Sequence, residues 1–193
     1  LLTLRLFKSK KPLIAAVNGA AVGIGATMLL PMDFRICSEE ARFGFVFARR
    51  GIVPEAASSW FLPRLVGITK ALELCYSGKI ISAKEAEDIN LVSEVLPKEQ
   101  LLDRALAVAN EFTAESSQIS IALTRQMMWR MLGADDPMEA HKIDSRGVFE
   151  LGQSGEAIEG VKSFLEKRPP SFPGKVSKDM PSFYPWWDEK EFE

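Results

Sequence analysis

This chain of 193 residues has few histidines and cysteines and only a small net charge. The one histidine, His141, has no nucleophile elbow to accompany it, so a serine-histidine-aspartate triad is not expected. The two cysteines, Cys37 and Cys75, lie far apart and lack zinc-ligand spacing, which predicts buried free thiols, a reducing compartment and no metal site. A formal net charge of -2 gives no bulk attraction to nucleic acid, so no nucleic-acid partner is expected.

Long hydrophobic runs are also missing, except for one stretch that approaches the length of a membrane span. It lies between Pro12 and Pro31 and is interrupted by Asn18 and three glycines. These interruptions favour a strand, a turn and a buried helix over a membrane span. We therefore expect no membrane association and a cytoplasmic protein, or a peroxisomal or mitochondrial one if a targeting signal precedes Leu1.

Short apolar runs separated by glycine, proline and asparagine predict alternating strands and helices in the first half of the chain. The expected strands are residues 13–17, 33–37, 41–45 and 91–96. The expected helices are residues 1–7, 24–32, 55–66, 70–77 and one that begins at Ser82, with Glu85 completing a capping box.

The second half of the chain predicts helices followed by an extended tail rich in proline and aromatic residues. One helix has a predicted buried face of Leu101, Leu102, Ala105, Ala109 and Phe112. Further helices are expected at residues 119–132, 138–151 and 156–167. The sequence thus predicts an α/β fold with three parts, residues 1–96, 97–168 and 169–193.

Two segments could carry chemistry. In "LIAAVNGAAVGIGATM", residues 13–28, a strand runs through glycines into a helix start, whose free N–H groups form a natural oxyanion or anion site. A tight strand-helix crossing explains the same glycines equally well. In "RRGIVPEAASS", residues 49–59, Glu55 is expected in the first turn of a helix, where a glutamate is also simply favoured by the helix dipole.

Several motifs together resemble those of the crotonase (enoyl-CoA hydratase/isomerase) superfamily. They are "KPLIAAVNGAAVGIG", "ARFGF", "GIVPEAASSWFLPRLVG", "SGKIISAKEAEDINLVSEVLP" and "EGVKSFLEKRPP", in the family's order. The resemblance covers about residues 11–170 and implies a ββα spiral core in residues 1–96 and a helical trimerisation region in residues 97–168. It further implies an acyl-CoA thioester substrate, a homotrimer or dimer of trimers, and no cofactor beyond the coenzyme A of the substrate.

The resemblance also implies an oxyanion hole of two backbone N–H groups. The second donor falls on Ile24, flanked by Gly23 and Gly25. The first donor would lie in a loop upstream of Leu1, since about the first third of a family member has no counterpart in this chain. Asn90 stands where the family usually has glycine, and asparagine tolerates the left-handed conformation required there.

Two departures from the family pattern bear on the reaction. The two glutamates of family hydratases fall on Thr27 and Phe47, whereas Glu55 matches the single catalytic glutamate of peroxisomal-type Δ3,Δ2-enoyl-CoA isomerases. The resemblance therefore implies an isomerase with Glu55 as general acid and base. An enoyl-CoA hydratase, another crotonase reaction, or a non-catalytic homologue that binds acyl-CoA or RNA are the alternatives.

The remaining predicted contacts with acyl-CoA follow from the same resemblance. They are Phe47 and Pro54 near Glu55, and Phe164 and Lys167 contributed by a neighbouring subunit. Lys167 would pair with a nucleotide phosphate. The alternative is a plain amphipathic helix end, where a cation suits the helix dipole.

Overall fold

A computed structural model describes residues 1–192 and divides the chain into two compact units. The first unit is residues 1–110, and the second begins at Glu111. The division falls within helix α6 (Leu101–Thr113), one element later than the predicted boundary after residue 96, which stays a prediction.

The first unit alternates strands and helices in the predicted manner. Its helices are α1 (Leu2–Phe7), α2 (Ile24–Thr27), α3 (Ser58–Val66), α4 (Ile68–Ser77), α5 (Ala83–Asp88) and most of α6. Its strands are β1 (Ile14–Val17), β2 (Ala20–Val22), β3 (Phe34–Ser38), β4 (Arg42–Gly44), β5 (Ile80–Ser82) and β6 (Glu94–Leu96). Two short 3-10 helices, Ala48–Arg50 and Lys98–Gln100, precede α3 and α6.

The strands form two three-stranded sheets that the chain visits in turn. One sheet has the order β1-β3-β6 and is parallel throughout. The other has the order β2-β4-β5, with β2 parallel and β5 antiparallel to β4. Because each pass adds one strand to each sheet, the chain winds as a spiral, and the predicted α/β class is confirmed.

The parallel sheet packs against α6 through a small apolar cluster. Ile36 from β3 contacts Leu101 and Ala105, with Ile14 and Phe34 packed at the margin. The predicted buried face of α6 is wrong at two positions. Leu102 is 65% exposed and Phe112 is 37% exposed, whereas Leu101 and Ala105 are buried as predicted and Val108 is buried in addition.

Two predicted elements are shorter in the structure. The helix expected over residues 24–32 ends at Thr27, after which the backbone bonds tighten from i−4 to i−3 acceptors as the chain approaches Pro31. Proline supplies no N–H and disfavours helical geometry in the residue before it, so the helix does not continue. The strand expected over residues 91–96 begins only at Glu94, since Asn90 adopts the predicted left-handed conformation (φ 59°) and the backbone bends through residues 91–93.

Strands β2 and β5 were not predicted. Each has three residues, too few for an alternating pattern to be recognised. The predicted capping box is confirmed, with the Ser82 hydroxyl accepting from the Glu85 N–H and the Glu85 carboxylate accepting from the Ser82 N–H. Cys37 and Cys75 are both free thiols, but only Cys37 is buried as predicted, and Cys75 is half-buried. Burial raises the pKa of Cys37 to about 11.

The second unit contains α7 (Gln118–Met131), α8 (Pro137–Gly152) and α9 (Gly155–Glu166), followed by a tail whose described residues, up to 192, form no helix or strand. The tail packs on its own unit. The Arg130 guanidinium of α7 lies 3.1 Å from the ring centroid of Trp187. The predicted extended tail, residues 169–193, stays a prediction.

Candidate active site

The turn that enters α2 has the backbone geometry expected of an oxyanion site. Gly23 adopts φ 58° and ψ -126°, a region that is strained for any residue with a side chain. Its N–H donates to the Gly44 carbonyl of β4 at 3.1 Å, and its carbonyl accepts from the N–H groups of Ala26 and Thr27 at 2.9 and 3.0 Å. The turn is therefore fixed to the second sheet.

The N–H groups of Ile24 and Gly25 open the helix and have no intrahelical acceptor. Within residues 1–192, no carbonyl or side chain accepts a hydrogen bond from either group. A β-carbon placed on Gly25 would meet no atom within 4 Å, so the space beside this turn is open. The prediction that Ile24 supplies an oxyanion donor stays a prediction, with a free donor at the expected place.

Glu55 lies in a loop, so its predicted position in the first turn of a helix is wrong. Helix α3 begins at Ser58, and both Ala56 (φ 56°) and Ala57 (φ 59°) adopt the left-handed conformation. Each such alanine costs roughly 1–2 kcal/mol, and two in succession cannot belong to a right-handed helix. The Ser58 N–H donates to the Glu55 carbonyl at 2.9 Å, which closes the turn and places the carboxylate ahead of the helix.

Thr27 and Glu55 meet across the site. The Thr27 hydroxyl donates to Oε1 of Glu55 at 2.6 Å, joining the end of α2 to the loop before α3. Thr27 is fully buried and Glu55 is half-buried. Sequence reasoning treated Thr27 only as a missing carboxylate. The family pattern could have predicted this contact, because positions 27 and 55 both carry catalytic carboxylates in members of the family and can therefore face the same substrate.

Two further predicted contact residues precede Glu55 in sequence. Phe47 is only 4% exposed and packs in the core immediately before the short helix at residues 48–50. Pro54 is half-buried, and its neighbour Val53 is 77% exposed. A contact of substrate with Phe47 or Pro54 stays a prediction.

The second unit places Phe164 and Lys167 together at the C-terminal end of α9. Phe164 is 81% exposed, and Lys167 ends the helix in the left-handed conformation. Arg168 binds Glu159 through two hydrogen bonds of 2.6 and 2.9 Å, which together with the Ser171 N–H lower the pKa of Glu159 to about 2. Within residues 1–192, no carboxylate pairs with Lys167, so of these two cations only Lys167 is available to a phosphate.

The described part of the chain contains neither a candidate metal site nor a helix that could span a membrane. No group of three or more histidine, cysteine, aspartate or glutamate side chains within residues 1–192 is placed to hold a metal ion. Over the same residues, no helix has both the length and the apolar content needed to span a bilayer.

Comparison with known proteins agrees with this geometry. The family model for enoyl-CoA hydratase/isomerase matches residues 1–175. A protein of Alternaria alternata named Enoyl-CoA hydratase ACTT3 is 45% identical over 172 residues, which cover 89% of this chain and 57% of that protein. The 1,2-epoxyphenylacetyl-CoA isomerase of Escherichia coli K12 is 33% identical, over 89% of this chain and 64% of its own length. The chain thus spans less than two thirds of these relatives.

Solved structures show the same fold. A probable enoyl-CoA hydratase/isomerase from Mycobacterium abscessus superposes with a TM-score of 0.83 at 36% identity, covering 88% of this chain and 68% of the other. An enoyl-CoA hydratase from Bacillus anthracis gives a TM-score of 0.85 at 31% identity, covering 90% and 66%. On its sequence, its spiral of paired strands and these matches, the chain belongs to the enoyl-CoA hydratase/isomerase family, within the crotonase superfamily.

Proposed function

We propose that the protein catalyses Δ3,Δ2-enoyl-CoA isomerisation with Glu55 as its single acid and base. The observation that carries this proposal is the 2.6 Å hydrogen bond from the Thr27 hydroxyl to the Glu55 carboxylate. A hydroxyl occupies one of the positions that family hydratases fill with glutamate, and a buried phenylalanine, Phe47, occupies the other. One carboxylate remains, which is what a proton transfer within one substrate needs.

The reaction is redox-neutral and moves one hydrogen. Glu55 removes a proton from C2 of a 3-enoyl thioester, and the electron pair of that C–H bond delocalises onto the thioester oxygen. Glu55 then returns the proton to C4, the C3–C4 double bond becomes C2–C3, and the carbonyl re-forms. A positioned carboxylate acting in this way contributes on the order of 10²–10⁴-fold.

The enolate oxygen requires donors that are in place before charge develops. The Ile24 N–H is one donor, since the first turn of α2 leaves it unpaired within residues 1–192. A second donor from upstream of Leu1 completes the hole in this proposal. Removal of one such donor typically costs roughly 3–4 kcal/mol of transition-state stabilisation.

The acyl-CoA nucleotide is bound by the second unit in this proposal. Lys167 has no carboxylate partner within residues 1–192 and is exposed beside Phe164 at the end of α9. Family resemblance assigns these two residues to the site of a neighbouring subunit in a homotrimer or dimer of trimers. No cofactor is needed beyond the coenzyme A of the substrate, because the reaction involves only proton transfer.

Hydration is the second candidate, and the name of a relative at 45% identity favours it. A hydratase must position and activate a water molecule, and the paired glutamates that do so in the family are absent here. Hydration would then depend on Glu55 alone. The two reactions are distinguished by substrate, because an isomerase acts on a 3-enoyl thioester and a hydratase consumes a 2-enoyl thioester.

The test measures formation of the conjugated 2-enoyl thioester by ultraviolet absorbance, using the purified protein with any sequence that naturally precedes Leu1. Glu55→Gln is expected to lower kcat/KM by at least about 100-fold. The matched control is Glu39→Gln, an exposed glutamate of the same unit, which should retain wild-type activity.

Other results would redirect the assignment. If the wild type leaves 3-enoyl-CoA unchanged but consumes 2-enoyl-CoA, the protein is a hydratase. If it binds acyl-CoA without turning over either substrate, both reactions are excluded, and another crotonase reaction or the non-catalytic binding role takes their place. Full isomerase activity in Glu55→Gln would remove Glu55 from the mechanism.

A further inference from the structure

Helix α2 places two polar groups of the site on one helical turn. The Ile24 N–H opens α2, and Thr27, three residues later, is the last residue of the same turn. The turn is tied to β4 by the Gly23 N–H bond to the Gly44 carbonyl. A displacement of the oxyanion donor would therefore also displace the hydroxyl that holds the base.

The Thr27 hydroxyl has one proton and two nearby acceptors. Oε1 of Glu55 lies at 2.6 Å, whereas the Ile24 carbonyl lies at 3.5 Å, too far for a strong bond. Thr27 is fully buried, so water does not compete for the hydroxyl. The proton therefore belongs to the contact with Glu55.

The second carboxylate oxygen of Glu55, Oε2, is not engaged by Thr27. Within residues 1–192, Oε2 accepts no hydrogen bond, although Oε1 is engaged. Rotation of the carboxylate away from its present orientation would break the contact between Oε1 and Thr27. The contact thus distinguishes two oxygens that are chemically equivalent in a free carboxylate.

We infer that Thr27 is a positioning residue that holds Oε1 and makes Oε2 the one oxygen that both takes and returns the proton. This inference rests on the proposed isomerase function. Oε2 accepts the hydrogen from C2 while the C–H electron pair moves into the enolate. The same hydrogen is delivered from Oε2 to C4 as the electrons of the C3–C4 double bond form the new C–H bond. Because one oxygen carries the hydrogen from C2 to C4 in this proposal, we expect the hydrogen to reach C4 without exchanging with solvent.

The first measurement needs no variant. A 3-enoyl-CoA carrying two deuterium atoms at C2 is converted in ordinary water, and the 2-enoyl product is analysed by mass spectrometry at low conversion. The expected product retains both deuterium atoms, one at C2 and one at C4. A wild-type product that consistently retains only the C2 deuterium would overturn the inference, since the proton would then be exchanging on the enzyme.

Three variants separate positioning from folding. Thr27→Val removes the hydroxyl at similar size, Thr27→Ser keeps it, and Thr69→Val removes an exposed hydroxyl from α4 as the control. Thr27→Val is expected to lower kcat by about 10- to 100-fold, the scale of a misplaced catalytic group, with KM changed less than about threefold. Its product should lose part of the C4 deuterium, whereas Thr27→Ser should restore both kcat and retention.

The outcomes separate the two proposals. Isomerase activity that depends on Glu55, with kcat and deuterium retention unchanged in Thr27→Val, would overturn the role of Thr27 and leave the function intact. A wild type without isomerase activity would overturn both. If Thr27→Val fails to fold, Thr27→Ala supplies the variant without the hydroxyl, and unchanged kcat and deuterium retention in it would overturn the role of Thr27.

Discussion

Glu156 provides the sharpest test of how the second unit is held together. The side chain is only 6% exposed and lies in the first turn of α9. Its Oε1 accepts from the Gly174 N–H of the tail at 2.7 Å, and its Oε2 accepts from the hydroxyl of Ser117. That hydroxyl also caps α7 by accepting from the Ser120 N–H at 3.1 Å. One carboxylate therefore joins two helices and the tail.

Replacing Glu156 by glutamine keeps the shape but leaves a single strong acceptor. The new amide group would face either the Gly174 N–H or the Ser117 hydroxyl, so one hydrogen bond to a charged group is lost. Such bonds contribute about 1.5–3 kcal/mol, and an unsatisfied buried donor adds to the loss, so we expect a destabilisation of about 2–4 kcal/mol.

Urea unfolding followed by circular dichroism measures this free energy. The control is Glu115→Gln, an exposed glutamate of the same unit, which should change stability by less than about 0.5 kcal/mol. An unfolding midpoint of Glu156→Gln equal to that of the wild type would show that the carboxylate does not hold the tail.

Three further outcomes follow from backbone conformation and charge. Gly23→Ala should destabilise the protein by about 1–3 kcal/mol in urea unfolding and reduce isomerase activity, since alanine is strained at φ 58° and ψ -126°. Ala57→Gly should instead stabilise it by up to about 1 kcal/mol, because the left-handed φ of 59° suits glycine. The contact with Arg168 lowers the pKa of Glu159 from 4.5 to about 2. The contact therefore stabilises the folded state fully at pH values above about 4.5, and this stabilisation is lost as the pH falls to about 2. Cleavage of the wild-type tail by an acid protease should increase as the pH falls through this range. In the Arg168→Ala variant, the tail should already be cleaved at about pH 4.5.

The fold was predictable where local chemistry and tertiary structure agree. The capping box at Ser82 and the left-handed turn at Asn90 depend on interactions within a few residues, and both are found. The loop at Glu55 was not predictable from propensity. Alanine is the best helix former, so Ala56 and Ala57 predict a continuous helix, and only the surrounding structure forces both into the left-handed region.

The contact between Thr27 and Glu55 was hidden for a different reason. It joins residues 28 positions apart, and no periodic pattern links the end of a one-turn helix to a strained loop. Only superposing the carboxylate positions of different family members brings these two residues to one place. Strained backbone is typical of functional sites, and here Ala56 and Ala57 are strained directly beside Glu55. The place where helix propensity predicts the wrong structure is therefore also the candidate site.

The same geometry explains why one carboxylate defines the proposed reaction. A glutamate at position 27 would lie against Glu55, where the hydroxyl now makes its 2.6 Å contact. Two carboxylates at such a distance cannot both be ionised, because like charges favour sharing one proton. A glutamate at position 47 would bury its charge where Phe47 is only 4% exposed. Positions 27 and 55 therefore exclude each other as ionised bases. In the proposed mechanism, threonine at position 27 therefore removes the competing charge and supplies the hydrogen-bond donor that orients Glu55 as the single base.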